Sequence, residues 1–196
     1  FTGNYFYGLD KINKSNYNFD ENVSIKIISP NLSLKDYNQK SEISILKRLI
    51  KISDPEENKK TIFIWPEGIF YQSYLDELEK YKNLFLENFS KNHLIILGAN
   101  TKNTINSNTN YFNSFLVIDK DFNIINQYNK QKLVPFGEFL PFEQTLKKIG
   151  LKKLTSGYQS FSKGKKNSLI TLDFDGKSLK ILPLICYEII FPQLLE

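Results

Sequence analysis

Three residues stand at or just past the ends of apolar runs, where α/β folds display reactive groups. Glu67 follows the run 61–65 in FIWPEG. Lys130 follows FNIINQY and opens the loop KQKLVPFGEFLPF, and Cys186 ends LKILPLIC, directly before Tyr187 and Glu188. Together they are a carboxylate, an ammonium and the only thiol in 196 residues. A thiol becomes a nucleophile when a base takes its proton or a nearby cation favours the thiolate. A carboxylate can carry that proton on to a leaving group, and an ammonium can stabilise the oxyanion of a tetrahedral intermediate. Each residue also has a plainer reading: Glu67 as a cap or turn ligand, Lys130 as a solvated charge, Cys186 as a small core side chain.

Histidine is the commoner partner of a catalytic cysteine, and His93 is the only one here. It precedes LIILG, at the start of a predicted strand, whereas the other three groups follow strand ends. In a parallel sheet those are opposite edges, which leaves His93 as a surface or helix-end residue.

The elements that must position these groups follow from periodicity. Val23, Ile25 and Ile27 alternate with Ser24 and Lys26, predicting a strand with those three side chains buried. Ile43, Leu46, Leu49 and Ile50 recur at helical spacing until Asp54-Pro55. TIFIW predicts a second strand. Tyr71, Tyr74, Leu75, Leu78, Tyr81, Phe85 and Phe89 then form a stripe at period 3.6, predicting one long helix, and LIILGAN predicts a third strand. This alternation is that of an α/β fold. A polar, turn-forming stretch, NTINSNTN, leads into a hairpin turning at Lys120-Asp121, and a second hairpin turns at Asp175-Gly176, so the sheet pairing is mixed. No repeat, linker or second domain is read in the chain: residues 1–20 are expected to form a lead-in segment and 21–196 one domain.

Composition narrows the function classes. A single cysteine excludes an intrachain disulfide and a multi-cysteine zinc site. The net charge of +5 is spread over lysines interleaved with acids, and Arg48 is the only arginine, which argues against a nucleic-acid surface. No run of about 18 apolar residues is present to span a bilayer, and the first residues lack the basic-then-apolar order of a signal peptide.

WPEG, YNKQKLVPFGEFLPF and ICYEIIFP, in this order, resemble the carbon–nitrogen hydrolase (nitrilase) superfamily, and LVPFGEFLPF with ICYE is most similar to the nitrilase-like domain of bacterial apolipoprotein N-acyltransferases. The similarity runs from about Val23 to the end. It implies an α-β-β-α sandwich with its C-terminal part missing. It implies Glu67 as general base, Lys130 as oxyanion-stabilising cation and Cys186 as acyl-accepting nucleophile. Glu138 would hold Lys130, and Tyr187 and Glu188 would shape the same site. Tyr37 stands where the family often has tryptophan, and Lys132 where histidine is frequent.

The resemblance implies no cofactor and no metal. The implied reaction takes an acyl chain from a phospholipid onto the thiol and passes it to the N-terminal amine of a diacylglyceryl-cysteine apolipoprotein. The implied setting is the bacterial inner membrane, with the catalytic domain on the periplasmic side and attachment through segments not in this chain. The alternatives are a soluble amidase or nitrilase using the same three groups with water as acceptor, and a non-catalytic binding or scaffold domain with Cys186 buried.

Overall fold

Strands that are apolar on both faces belong in the middle of a covered sheet, and β2 (Thr61–Ile64) and β4 (His93–Ile105) take that place. The structure, a computed structural model, describes residues 2–14, 23–33, 41–142, 160–165, 169–174 and 176–194, apart from the side chains of 71 and 72. β1 (Ser24–Ile27), β2 and β4 run parallel, and β3 (Phe70–Tyr74) pairs with β4 further along the same edge. β5 (Asn108–Ile118) and β6 (Ile124–Asn129) add antiparallel neighbours, so the six-stranded sheet has the order β1-β2-β4-β5-β6, with β3 on β4. β7 (Ile170–Phe174) and β8 (Lys177–Ile181) form a separate two-stranded sheet. The pairing is mixed, as predicted.

Two cores lie on the two faces of the large sheet. On one, α2 (Glu42–Ser53) packs Leu46 and Leu49 against Phe63, Ile95, Leu97 and Leu116. Fully burying either leucine contributes about 1.5–3 kcal/mol. On the other, Ile62, Leu94, Ile96 and Val117 meet Ile170, Leu172 and Phe174 of the small sheet. Helix, sheet and sheet are thus stacked in layers around two apolar cores.

α2 ends where Asp54 turns left-handed at φ 43°, matching the predicted stop, although Ile45 is buried where Ile43 was expected. The aromatic stripe from Tyr71 is not one helix. Phe70–Tyr74 is a strand, followed by the single turn α3 (Leu75–Leu78), a 3-10 turn (Glu79–Tyr81) and α4 (Lys82–Asn88). Helical spacing at Tyr71 and Tyr74 lost to pairing with β4, whose Ala99 and Asn100 face Phe70 and Tyr74. Leu78, Phe85 and Phe89 do pack into the core.

The polar stretch NTINSNTN is mostly strand: β4 and β5 extend through it to a two-residue turn at Asn106 and Ser107, both at positive φ, the geometry that matches strand twist.

β1 also departs from expectation. Ile25 and Ile27 are 62% and 79% exposed, and Val23 is half-buried. Lys26 instead turns toward the helix layer, where its Nζ donates to the carbonyls of Asp54 at 2.9 Å and Ser53 at 3.3 Å, satisfying the C-terminal end of α2. The two isoleucines are in register with Ile62 and Ile64 on the face between the sheets, but β1 is at the edge of the described sheet.

α1 (Thr2–Lys14) occupies most of the lead-in segment. Among the described residues no helix is long and apolar enough to cross a membrane.

Candidate active site

Pro66 ends β2 after Trp65 N–H has joined the ladder through Ile96 O at 2.8 Å, and Gly68 at φ 76° turns the chain away. Glu67 is therefore presented on an exposed corner. Gly98 of β4 lies beneath it, where a Cβ would stand 3.4 Å from Glu67 Cα. Lys130 continues β6 by one residue, its N–H donating to Asn113 O at 2.9 Å. That register points Lys130 and Asn113 to the same face of the sheet.

The Lys130 side chain is 1% exposed. A buried ammonium needs a hydrogen-bonded counter-charge, and Glu138 Oε1 supplies it at 2.8 Å. Glu138 is held by the loop it sits in: its Oε2 accepts Val134 N–H at 2.9 Å, and its own N–H reaches Val134 O at 2.8 Å. Asn113 connects this pair to the corner, its Nδ2 donating to Glu67 Oε1 at 3.0 Å and to Glu138 Oε1 at 3.1 Å. Glu67, Lys130 and Glu138 thus form one network, and its hub is a residue that motif reading missed. The available signal was an amide at position 113 on the face of β5 that otherwise carries Phe115 and Val117.

Cys186 is tied to the network through the two residues that follow it, Tyr187 and Glu188. The thiol is exposed, so the buried-core reading fails. Its backbone sits at φ 56°, a left-handed conformation that costs a non-glycine residue on the order of 1–3 kcal/mol. Tyr187, next along, lays its ring 5.3 Å from Lys130 Nζ, an attractive cation–ring contact. Burial raises the Tyr187 phenol above its ordinary value. Lys130 opposes that shift, while Glu138 and Glu188 add to it.

Glu188 is fully buried and takes four donors. The Tyr128 hydroxyl shares its one proton between the two carboxylate oxygens at 3.0 and 3.1 Å, and the backbone N–H groups of Gln131 at 2.8 Å, Lys132 at 2.9 Å and Ile185 at 2.9 Å each donate one bond. One carboxylate therefore fastens the chain just after Lys130 to the chain just before Cys186. Burial, and then the Glu188 charge, raise the Tyr128 phenol well above its ordinary range, so it donates as a neutral hydroxyl.

His93 lies where the strand argument put it: it pairs with Thr61 at the start of β2, the opposite end from Glu67. It is not a surface residue, being buried against the rings of Phe63 and Phe89. Nδ1 accepts Ser90 N–H at 2.9 Å, so Nε2 carries the proton and donates to Glu56 O at 3.0 Å. Tyr37 falls outside the described residues, as does Asp175 of the second predicted turn. No cluster of three or more metal-ligating side chains occurs among the described residues.

The loop after Lys130 divides its apolar residues. Phe136 and Phe142 are exposed, the latter at 84%, Phe139 is half-buried and Leu140 is buried. Ile189 and Ile190, just past the thiol, are exposed as well.

Residues 48–195 match the carbon–nitrogen hydrolase family, and the chain belongs to it. Curated relatives that it matches include proteins named apolipoprotein N-acyltransferase. That of Rhodopseudomonas palustris is 30% identical over 184 residues, covering 88% of this chain and 34% of the relative. That of Bradyrhizobium diazoefficiens is 30% identical over 181 residues, 87% of this chain and 33% of the relative. The chain therefore spans about a third of their length. Among solved structures, the Caenorhabditis elegans NitFhit protein aligns with a TM-score of 0.47 at 21% identity, over 88% of this chain and 39% of its own.

Proposed function

We propose that the chain is the catalytic domain of an apolipoprotein N-acyltransferase, working through a thioester on Cys186. The observation that carries this reading is the buried Lys130 ammonium, held by Glu138 and joined through Asn113 to Glu67, with Tyr187 bringing the thiol's own chain segment against it.

In the first half-reaction Glu67 takes the thiol proton and Sγ attacks the ester carbonyl of a phospholipid. Lys130 stabilises the oxyanion, a role in which a single donor is worth about 2.7–4 kcal/mol. The carbon–oxygen bond breaks, the leaving alkoxide takes the proton from Glu67, and a lysophospholipid departs. In the second, the α-amine of a diacylglyceryl-cysteine lipoprotein attacks the thioester and Glu67 accepts its proton. The carbon–sulfur bond then breaks and the sulfur regains a proton from Glu67, leaving an amide.

Asn113 keeps the two carboxylates at fixed spacing from one amide group. Glu188 positions Cys186 and Lys130 without touching the acyl group. The exposed Phe136, Phe142, Ile189 and Ile190 favour a site that opens onto lipid, which would also keep water from the thioester. The reading places the domain at the bacterial inner membrane on its periplasmic side, by analogy with the family. It needs no cofactor.

The test is intact-protein mass after incubation with phospholipid vesicles. An acyl-sized adduct that disappears in Cys186→Ala is expected. An adduct that persists in that variant, or none on correctly folded protein, rules the reading out.

A further inference from the structure

On the helix side of the large sheet the apolar core gives way to polar side chains along three neighbouring strands. The inward row of β4 runs Ile95, Leu97, Ala99 and then Thr101 and Asn103, while that of β5 runs Ile118, Leu116 and then Ser114. β6 contributes Gln127 and Asn129 to the same face. These side chains bond to one another. Ser114 Oγ donates to Asn129 Oδ1 at 2.8 Å, so the 2.7 Å contact between Thr101 and Ser114 is donated by Thr101. Gln127 Nε2 donates to Asn129 Oδ1 at 2.7 Å and to Thr101 Oγ1 at 3.2 Å. In this network Asn129 uses only its carbonyl and Gln127 only its amino group. What the two amides have left for a ligand is a matched donor and acceptor.

These side chains help line a cavity of about 1140 Å³, to which Leu75, Phe112 and Phe122 contribute apolar surface. Lys163 and Lys165 line it as well. They are two residues apart in the segment 160–165. That segment is pinned by Gly164 N–H donating to Lys130 O at 2.9 Å, and Gly164 is packed so closely on Asn129 that a Cβ would collide with its carbonyl oxygen. Asp76 and Glu79 also line it, Asp76 paired with Lys102 at 2.7 Å.

We propose that this cleft binds a phosphorylated polyol, its phosphate against Lys163 and Lys165 and its hydroxyls on the Gln127–Asn129 floor. A hydroxyl both donates and accepts, which is what the pair of amides offers. The ring of Phe112 suits the carbon–hydrogen face of such a ligand. The carboxylates of Asp76 and Glu79 disfavour an extended polyanion such as a nucleic acid, and the polar floor disfavours an acyl chain. The cleft lies on the face of the sheet opposite Lys130, Glu67 and Cys186, so the proposal stands or falls independently of acyl transfer.

The experiment is an NMR titration of the 196-residue chain, following the Gln127 and Asn129 side-chain amides, with glycerol 3-phosphate, glycerol, inorganic phosphate and phosphatidylglycerol vesicles as separate probes. Glycerol 3-phosphate is expected to shift both resonances saturably. The double variant Lys163→Ala/Lys165→Ala should weaken its binding by about tenfold, the scale of losing charge-assisted hydrogen bonds. Both lysines are exposed, so the variant should keep the parent's melting temperature. A response to vesicles alone, lost in the same variant, assigns the same chemistry to a lipid headgroup. The proposal is overturned by silence toward both glycerol 3-phosphate and vesicles, by inorganic phosphate binding as tightly as glycerol 3-phosphate, or by undiminished binding in the double variant.

Discussion

Glu188 receives the Tyr128 hydroxyl on both of its carboxylate oxygens, at 3.0 and 3.1 Å, inside a core that excludes solvent. Tyr128 lies two residues before Lys130, and Glu188 two residues after Cys186. Three backbone N–H groups converge on the same carboxylate. Replacing it with glutamine turns one acceptor into a donor facing those donors, and an unsatisfied buried group costs about 1–3 kcal/mol. Glu188→Gln should therefore lower the unfolding free energy by about 2–4 kcal/mol, summing such losses. Urea unfolding measures it, and an unchanged midpoint would contradict the clamp.

The same contact predicts an alkaline limit to stability. The Tyr128 phenol is raised in the folded state, so its contribution is complete below the unfolded value of about 10 and is lost as pH rises beyond it. Melting temperature measured from pH 8 upward should fall above about pH 10. Tyr128→Phe should flatten that fall. An identical slope in both proteins would assign the loss to other groups.

His93 governs the acid side. Burial lowers its pKa below the ordinary 6.5, outweighing the hydrogen bond to Glu56 O that favours the charged form. The neutral ring is the folded species, so the unfolded chain binds more protons once pH drops below 6.5, and stability declines from there toward the folded value. Unfolding midpoints between pH 7 and 5 should show the decline, with a shallower slope in His93→Gln.

Lys130→Met separates charge from bulk. The methionine fills much of the space but leaves no cation for the oxyanion, so acylation of Cys186 should slow by about 10²–10³-fold. Burst kinetics with a p-nitrophenyl acyl ester report this step. A folded variant with a near-parental burst rate would remove Lys130 from the proposed chemistry.

Asn113→Ala tests the hub. The carboxylates of Glu67 and Glu138 lose their common donor, and Glu67 is freed from its orientation. The same burst assay should slow by about tenfold or more, as expected when a positioning contact is lost. Urea stability should change by only about 1 kcal/mol, since water can replace the donor at the exposed Glu67. Asn113→Asp should be worse than alanine, because it sets a third negative charge between two others. Equal rates for the two would argue against an electrostatic role.

Local chemistry made part of the molecule legible in advance. Glu67, Lys130 and Cys186 announce themselves by following apolar runs, and the two hairpins by their turn residues. The stop of α2 at Asp54 is likewise a local event. Such signals depend on a few adjacent residues, whose backbone preferences survive in any context.

Other features depended on partners far away in the chain. Ile25 and Ile27 lie on the correct face of β1, yet edge position leaves them exposed. The stripe beginning at Tyr71 has a helical period, but β4 offered Phe70–Tyr74 a strand partner and broke it. Asn113 and Glu188 were legible as residue types and not as a hub and a clamp, because hydrogen bonds between positions 46 or 60 residues apart exist only once the sheet has set its register. The sequence by itself determined which groups are present and the broad alternation of helix and strand. Only the tertiary structure decided which side chains meet, because burial and long-range hydrogen bonding are properties of the packed sheet and of no segment alone.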